Sequence, residues 1–398
     1  MKLNIENKWF RGALPALLIH SCIGSVYCWS LLKDEIAAAM LCSVASIEIC
    51  FSLAIFFLGM SAAFGGQFVE KNVKKSSLLS TICFVGGLGL SILSIMIGSP
   101  IGLMLSYGCL MGIGLGIGYL SPVKTLMLWF SEHKGLATGI AISGFGLSKV
   151  LFSPFIEWCN IALGIHWTLG IMALISLVLM GLATALIKKP DGWQEPDVKY
   201  DFKTTLSYFK NIDYVLIWLI FYLNITCGLA LISFEKAIGL SAGIVNIGIL
   251  STLTAFFNTV GRFGYSTASD YMQNKGYVYV TIFLTSALSV IFSSFIPLII
   301  PMMLCIVNAG YGGGFSTLPT LLQSKFGMGK ISTIHGLTLS AWAFAGLSGN
   351  QLSNLIVNIL GLPFSTLFII LFILYGISLM LSIKVKNNLI TENNHESN

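Results

Sequence analysis

Apolar stretches of about 20 residues, separated by short turns, recur from residue 11 to residue 384. A helix of that length crosses about 30 Å of hydrocarbon and satisfies its own backbone hydrogen bonds where no water can. The ten-residue alternation of a membrane β-barrel does not occur in this sequence. With 56% hydrophobic and only 10% charged residues, the composition excludes an ordinary soluble domain, in which about a quarter of residues are charged. The expected fold class is an all-α integral membrane protein.

Hydropathy and helix breakers predict twelve transmembrane helices, over residues 11–32, 46–68, 78–98, 101–128, 136–160, 163–187, 212–236, 243–267, 277–297, 299–323, 333–357 and 362–384. At one end the turns Gly98-Ser99-Pro100, Gly164-Ile165-His166 and Gly361-Leu362-Pro363 are short and uncharged. All but four of the basic residues (Lys33, Lys149, Lys236 and Arg262) fall before helix 1, after helix 12, or at connections 2–3, 4–5, 6–7, 8–9 and 10–11. By the charge bias of short loops, both termini are expected in the cytoplasm and the protein in the cell's inner membrane. The net charge of +6 therefore sets orientation, and no nucleic-acid partner is expected. Trp129, Trp193 and Tyr200 are read as anchors at the cytoplasmic edge.

One long polar interior stretch divides the chain into an N-terminal six-helix bundle (1–187), a cytoplasmic linker (188–211), a C-terminal six-helix bundle (212–384) and a polar cytoplasmic tail (385–398) expected to lack order. No segment is large enough for a soluble catalytic domain, so no enzymatic activity is expected. The start, MKLNIENKWFRG, has the basic character of a signal peptide, but the apolar run behind it is too long and is kept as helix 1. The nine cysteines mostly lie inside apolar runs without metal-ligand spacing, and neither a metal nor a cofactor is expected.

Charges inside the helices carry the functional argument. Arg262 lies about 12 Å of helix rise before the end of helix 8 at Asp270, and only it and Arg11 are arginines in a chain that otherwise uses lysine. An intramembrane cation is expensive and usually faces a cavity or a partner, and a planar guanidinium can grip a carboxylate with two hydrogen bonds. The alternative is that Arg262 ties neighbouring carbonyls or an acidic side chain together. Lys149 lies near mid-membrane in helix 5, either in a substrate cavity or paired with Glu48 or Glu157. Glu48 reads as a proton-coupling carboxylate or a helix-end counter-ion. His20 in helix 1 reads as a proton relay or as a buried histidine with one hydrogen bond to a neighbour. Asn308, Tyr311, Asn350 and Gln351 orient a substrate or bond between helices.

Gly112, Gly114, Gly116 and Gly118, and Gly310, Gly312, Gly313 and Gly314, have neither the strand nor the GK[ST] of a phosphate loop, and are read as allowing close helix approach. GIGYLSP from Gly116 recurs as GGFSTLP from Gly313, and Glu70 after helix 2 is answered by Asp270 after helix 8. The two halves thus read as repeats.

GGQFVEKNVKK, Gly65 to Lys75, resembles the loop 2–3 signature of the major facilitator superfamily, with Glu70 in place of its Asp and Val73 in place of its second Gly. In that family the loop latches helix ends by charge pairing, and the alternative is a solvated loop. The stretches GSVYCWSLL, GIGYLSPVKTLMLWFSEHKGLATGIAISGFGLS, GRFGYSTASD and GYGGGFSTLP followed by HGLTLSAWAFAGLSG, spanning helices 1 to 11, resemble the oxalate–formate antiporter family within it. The resemblance implies the major facilitator fold and secondary transport of small organic anions by alternating access. Arg262 matches a substrate-contacting arginine of helix 8, and Tyr27 and Trp29 match the helix 1 aromatics. Trp342 falls where the family's oxalate transporter has a lysine. The resemblance also makes helices 5 and 8 neighbours, so that Lys149 is a candidate second cation.

The sequence therefore favours a monocarboxylate, with Arg262, Tyr27, Trp29, Trp342 and Lys149 as substrate-binding candidates and Lys149, Glu48 and His20 as coupling candidates. The expected partners are a small carboxylate, the lipid bilayer and protons, acting on a monomer by antiport or symport. The alternatives are a membrane-embedded ligand sensor and an efflux carrier of neutral or cationic compounds.

Overall fold

The computed structural model describes residues 7–193 and 202–396, and among them every regular element is helical. Tyr200 and residues 194–201 of the linker lie outside the described residues, as do 397–398 of the tail. The long helices are α1 (Trp9–Ala39), α2 (Ile49–Lys71), α3 (Val73–Met96), α4 (Pro100–Trp129), α5 (Lys134–Leu163), α6 (Ile165–Leu186), α7 (Ile212–Ile232), α8 (Ile247–Asp270), α9 (Gly276–Phe295), α10 (Pro297–Phe326), α11 (331–359) and α12 (Phe364–Val385). Among the described residues, ten of these are long and apolar enough to cross a membrane. The other two, α8 and α11, are interrupted by the polar residues that make them interesting.

The predicted turns hold for a backbone reason. Gly98, Gly164 and Gly361 adopt φ of +63°, +80° and +63°, which a residue with a Cβ rarely adopts. Helix 8 starts later than predicted, because Gly243 also has positive φ and Asn246 caps the helix, its side chain accepting from Ile249 N at 3.0 Å. The last helix continues to Glu396, through the segment expected to lack order; no Gly or Pro interrupts it after Gly376.

Contacts divide the protein into two units. The first contains α1–α6 together with Gly329–Ala343, and the second contains α7–α10, α12 and the remainder of α11. The sequence placed all of 212–384 in one bundle, whereas the contacts place 329–343 with the first unit. Small residues explain that grouping. A Cβ on Gly59 of α2 would come 2.6 Å from Leu339 O, and one on Gly66 would come 2.6 Å from Ser332 O, so these helices touch backbone to backbone.

Within the first unit hydroxyls bind helices together: Ser77 and Thr184 join α3 to α6 at 2.8 Å, and Ser80 donates to Gly114 O of α4 at 2.7 Å. Within the second, Tyr279 of α9 donates to Gly314 O at 2.6 Å and Ser353 donates to Ala230 O at 2.6 Å. In lipid, where apolar burial does not drive helices together, such bonds add about 0.6 kcal/mol each to close packing. Pro122 and Pro319, the ends of the two repeated stretches, both lie inside helices, in α4 and α10.

Candidate functional site

In the second unit α8 buries a run of polar side chains and exposes bulky apolar ones. Phe256, Val260 and Phe263 are exposed, while Thr254, Asn258, Arg262, Ser266 and Ser269 are buried. The buried residues recur every three or four positions and so form one stripe along the helix. Arg262 is 0% exposed. Its Nε donates to Asn258 Oδ1 at 2.8 Å, one turn earlier, and its guanidinium carbon lies 5.3 Å from the centroid of the Phe315 ring on α10. The Arg262 Cγ also comes close to Gly312, where an added Cβ would meet it at 2.9 Å. A missing side chain on α10 thus makes room for the arginine stem, and an amide and an aromatic ring fix the plane of its head.

The first unit gathers aromatic rings and two histidines. Tyr119 of α4 lies edge-on to His20 at 5.2 Å, to His335 at 5.8 Å, to Trp342 at 5.7 Å and to Phe145 at 5.9 Å. Phe145 of α5 in turn meets Trp342 at 5.8 Å and Tyr27 at 5.3 Å. Edge-to-face contacts of this kind each contribute about 0.5–1.5 kcal/mol beyond area burial. His20 is 3.0 Å from Ala16 O through Nδ1, and since a carbonyl only accepts, Nδ1 carries the proton. The Nε2 of His335, 2% exposed, has no hydrogen-bond partner among the described residues.

The sequence-named residues fall into distinct places. Tyr27 and Trp342 converge on Phe145, and His20 joins them through Tyr119. Trp29 turns away to stack obliquely on Tyr107 at 4.8 Å. Lys149 is half-buried and close enough to the tighter 3-10 segment Gly24–Cys28 within α1 for its charge to be felt at the Cys28 thiol. Glu48 pairs with Lys33 at 3.0 Å near the surface, the geometry of a helix-end counter-ion. Arg262 stands in the second unit. Asn308 donates to Leu304 O at 2.9 Å within its own helix.

Lys124 was counted with the basic connection 4–5, yet it lies inside α4, 1% exposed, and forms a buried ion pair with Glu70. Glu70 also accepts from Ser332 N and, at 3.2 Å, from Thr333 N, at the start of the helix Ile331–Thr338. Its own carbonyl accepts from Lys189 Nζ at 2.8 Å. Glu70 is therefore a latch rather than a solvated loop acid. An anion at a helix N-terminus is further favoured by the helix dipole. Tyr119, His335 and Phe145 were also missed as site candidates, although all three stand inside the quoted motif stretches; Asn258, four residues before Arg262, was legible from helical spacing alone.

Comparison with known proteins agrees with this architecture. The family model described as Major Facilitator Superfamily matches residues 13–350. The oxalate:formate antiporter of Oxalobacter formigenes is 25% identical over 383 residues, 92% of this chain and 88% of that protein. The uncharacterized MFS-type transporter YhjX of Escherichia coli (strain K12) is 24% identical over 348 residues, 84% of this chain and 85% of that one. Among solved structures, a bacterial homologue of the iron transporter ferroportin superposes with a TM-score of 0.76 over 97% of this chain and 100% of that one, and the transporter FucP with 0.72 over 94% and 97%. Each is 13% identical and shows the fold alone. The similarity to the oxalate:formate antiporter over nearly the whole chain bears out the resemblance read from the motifs. An all-helical chain with this repeat, these membrane helices and a family match over most of its length is a membrane transporter: it belongs to the Major Facilitator Superfamily.

Proposed function

We propose that this transporter carries a small monocarboxylate by alternating access, and that Arg262 holds its carboxylate. One observation carries the reading: the guanidinium is fully buried on the polar stripe of α8 and oriented by Asn258 and Phe315 before any ligand arrives. A preoriented planar cation recognises a carboxylate fork by two charge-assisted hydrogen bonds. In the first unit, Tyr27 and Trp342 present aromatic surface with polar tips around Phe145, and Trp29 packs on Tyr107; these three are the aromatic substrate-binding candidates of that unit.

The preference for one carboxylate rests on Trp342. An indole brings bulk and one donor but no charge. A second carboxylate without a cation in a low-dielectric site costs several kcal/mol. Lys149, the half-buried cation of the first unit, is then assigned to coupling rather than to a second substrate charge. His20 is a second coupling candidate, and Glu48, paired with Lys33, is the weakest of the three. The charge bias of the short loops supports cytoplasmic termini and the cell's inner membrane, with exchange or proton symport as driving force.

Counterflow in proteoliposomes tests this reading. Labelled formate or acetate should exchange across the membrane in preference to oxalate, and Lys149→Ala should lose the response to a pH gradient. Binding without flux would instead identify a sensor. A parent that prefers the dicarboxylate, with an alanine variant that loses only that preference, would make Lys149 a substrate ligand.

A further inference from the structure

The second unit holds a buried acid that the carboxylate reading does not use. Glu235 opens the short helix Glu235–Ser241 between α7 and α8 and is 7% exposed. Both of its carboxyl oxygens lie 3.1 Å from the hydroxyl of Thr254 on α8, and among the described residues no cation lies within ion-pair range of it.

The same hydroxyl is 3.0 Å from the carbonyl of Ser251. A threonine hydroxyl has one proton to give and two lone pairs with which to accept. When that proton points to Ser251, the contact with Glu235 is a hydrogen bond provided that the carboxyl is protonated and donates to Thr254 Oγ1. When Glu235 is ionised, the hydroxyl rotates and donates to the carboxylate instead. Rotation of one hydroxyl therefore keeps the acid hydrogen-bonded in either protonation state, so a proton can come and go without leaving the buried group unsatisfied.

We propose that Glu235 is a proton-binding carboxyl whose protonation is linked, along the buried stripe Thr254–Asn258–Arg262, to anion binding at Arg262. The proposal rests on the carboxylate reading above. Thr254 and Arg262 are two four-residue steps apart on one face of α8, about 12 Å of rise. Two unit negative charges that far apart, at an effective dielectric constant of about 20, repel enough to change a binding constant about tenfold. An anion arriving at Arg262 thus raises the proton affinity of Glu235, and by reciprocity the proton raises anion affinity by the same factor.

The other charged or titratable groups stand on the elements packed around Glu235. Lys236, its neighbour in the same short helix, is exposed. On α10 the Cys305 thiol is near enough for the charge of Glu235 to be felt, and Tyr311 and Lys325 lie further along that helix. On α7 they are Asp213, Tyr214, Tyr222 and Cys227, and on α8 Arg262, Tyr265 and Asp270. The two other carboxylates lie at the far ends of their helices: Asp213, in the first turn of α7, pairs with Lys325 at 2.8 Å, and Asp270 is about 24 Å of helix rise beyond Thr254.

The test measures formate and acetate affinity of the full-length protein in nanodiscs from acid to alkaline pH, together with the acid-carbonyl infrared band. The parent should lose about tenfold in affinity as pH rises, and lose an acid-carbonyl band over the same range. Glu235→Gln should lack the titrating band and bind at the acid-side affinity at every pH. If that variant does not fold, Thr254→Val should move the pH at which affinity changes, because it removes the hydroxyl that serves both states. A titrating band and a tenfold pH dependence that persist in Glu235→Gln, or an unmoved midpoint in Thr254→Val, overturn the assignment. A parent that shows the Glu235 band yet binds no carboxylate at any pH overturns the linkage through failure of the carboxylate reading itself, a result distinct from carboxylate binding that ignores Glu235.

Discussion

Two cations are buried to the same degree in the two units, Lys124 at 1% and Arg262 at 0% exposure, and they are employed differently. Lys124 meets the carboxylate of Glu70, which is itself anchored on the backbone N–H groups of Ser332 and Thr333. Arg262 is oriented by a neutral amide and by the face of a phenyl ring. The first arrangement spends a charge on holding helices together; the second aims one. A buried cation is therefore not by itself a sign of a ligand site, and the chemistry of what orients it decides the reading.

The largest effect expected from breaking this contrast is on stability. Glu70→Gln leaves Lys124 buried without its counter-charge, and loss of one partner of a buried pair costs about 3–5 kcal/mol. The thermal unfolding midpoint of the purified protein should fall well below the parent's, and adding Lys124→Met to the Gln variant should recover much of the loss. A Gln variant as stable as the parent would deny the pair its structural role.

Arg262→Lys sharpens the contrast from the other side. The charge remains, but the planar fork and its contacts with Asn258 and Phe315 are lost. Hydrogen bonds to charged groups contribute about 1.5–3 kcal/mol, so carboxylate affinity should fall by one to two orders of magnitude while the unfolding midpoint moves little. Equal affinity in parent and variant would remove Arg262 from the substrate site.

The smallest effect is predicted at the rim. Lys33 and Glu48 are partly solvated, and such pairs contribute about 0–1 kcal/mol. Glu48→Gln should leave both stability and the pH dependence of transport close to the parent's. A lost pH response in that variant would return Glu48 to the coupling machinery.

Much of this was legible in the chain itself. The long apolar runs and the glycines at Gly98, Gly164 and Gly361 determined where helices run and turn, because spanning length and positive φ are local requirements. The repeated stretches at Gly116 and Gly313 and the quoted motifs pointed to the superfamily, and Arg262 stood out as a cation that lipid does not tolerate. Only tertiary structure decided what each polar side chain meets. Lys124 looked like one more basic residue near a loop, yet it pairs with an acid 54 positions away. His335 and His20 share one tyrosine although their helices are distant in the chain. Glu235 fell at the end of the predicted helix 212–236 and carried no reading of its own; only packing shows that it meets Thr254. Helix periodicity tells which residues share a face, but a face acquires its chemistry from the neighbour packed against it, and that neighbour is chosen by long-range packing.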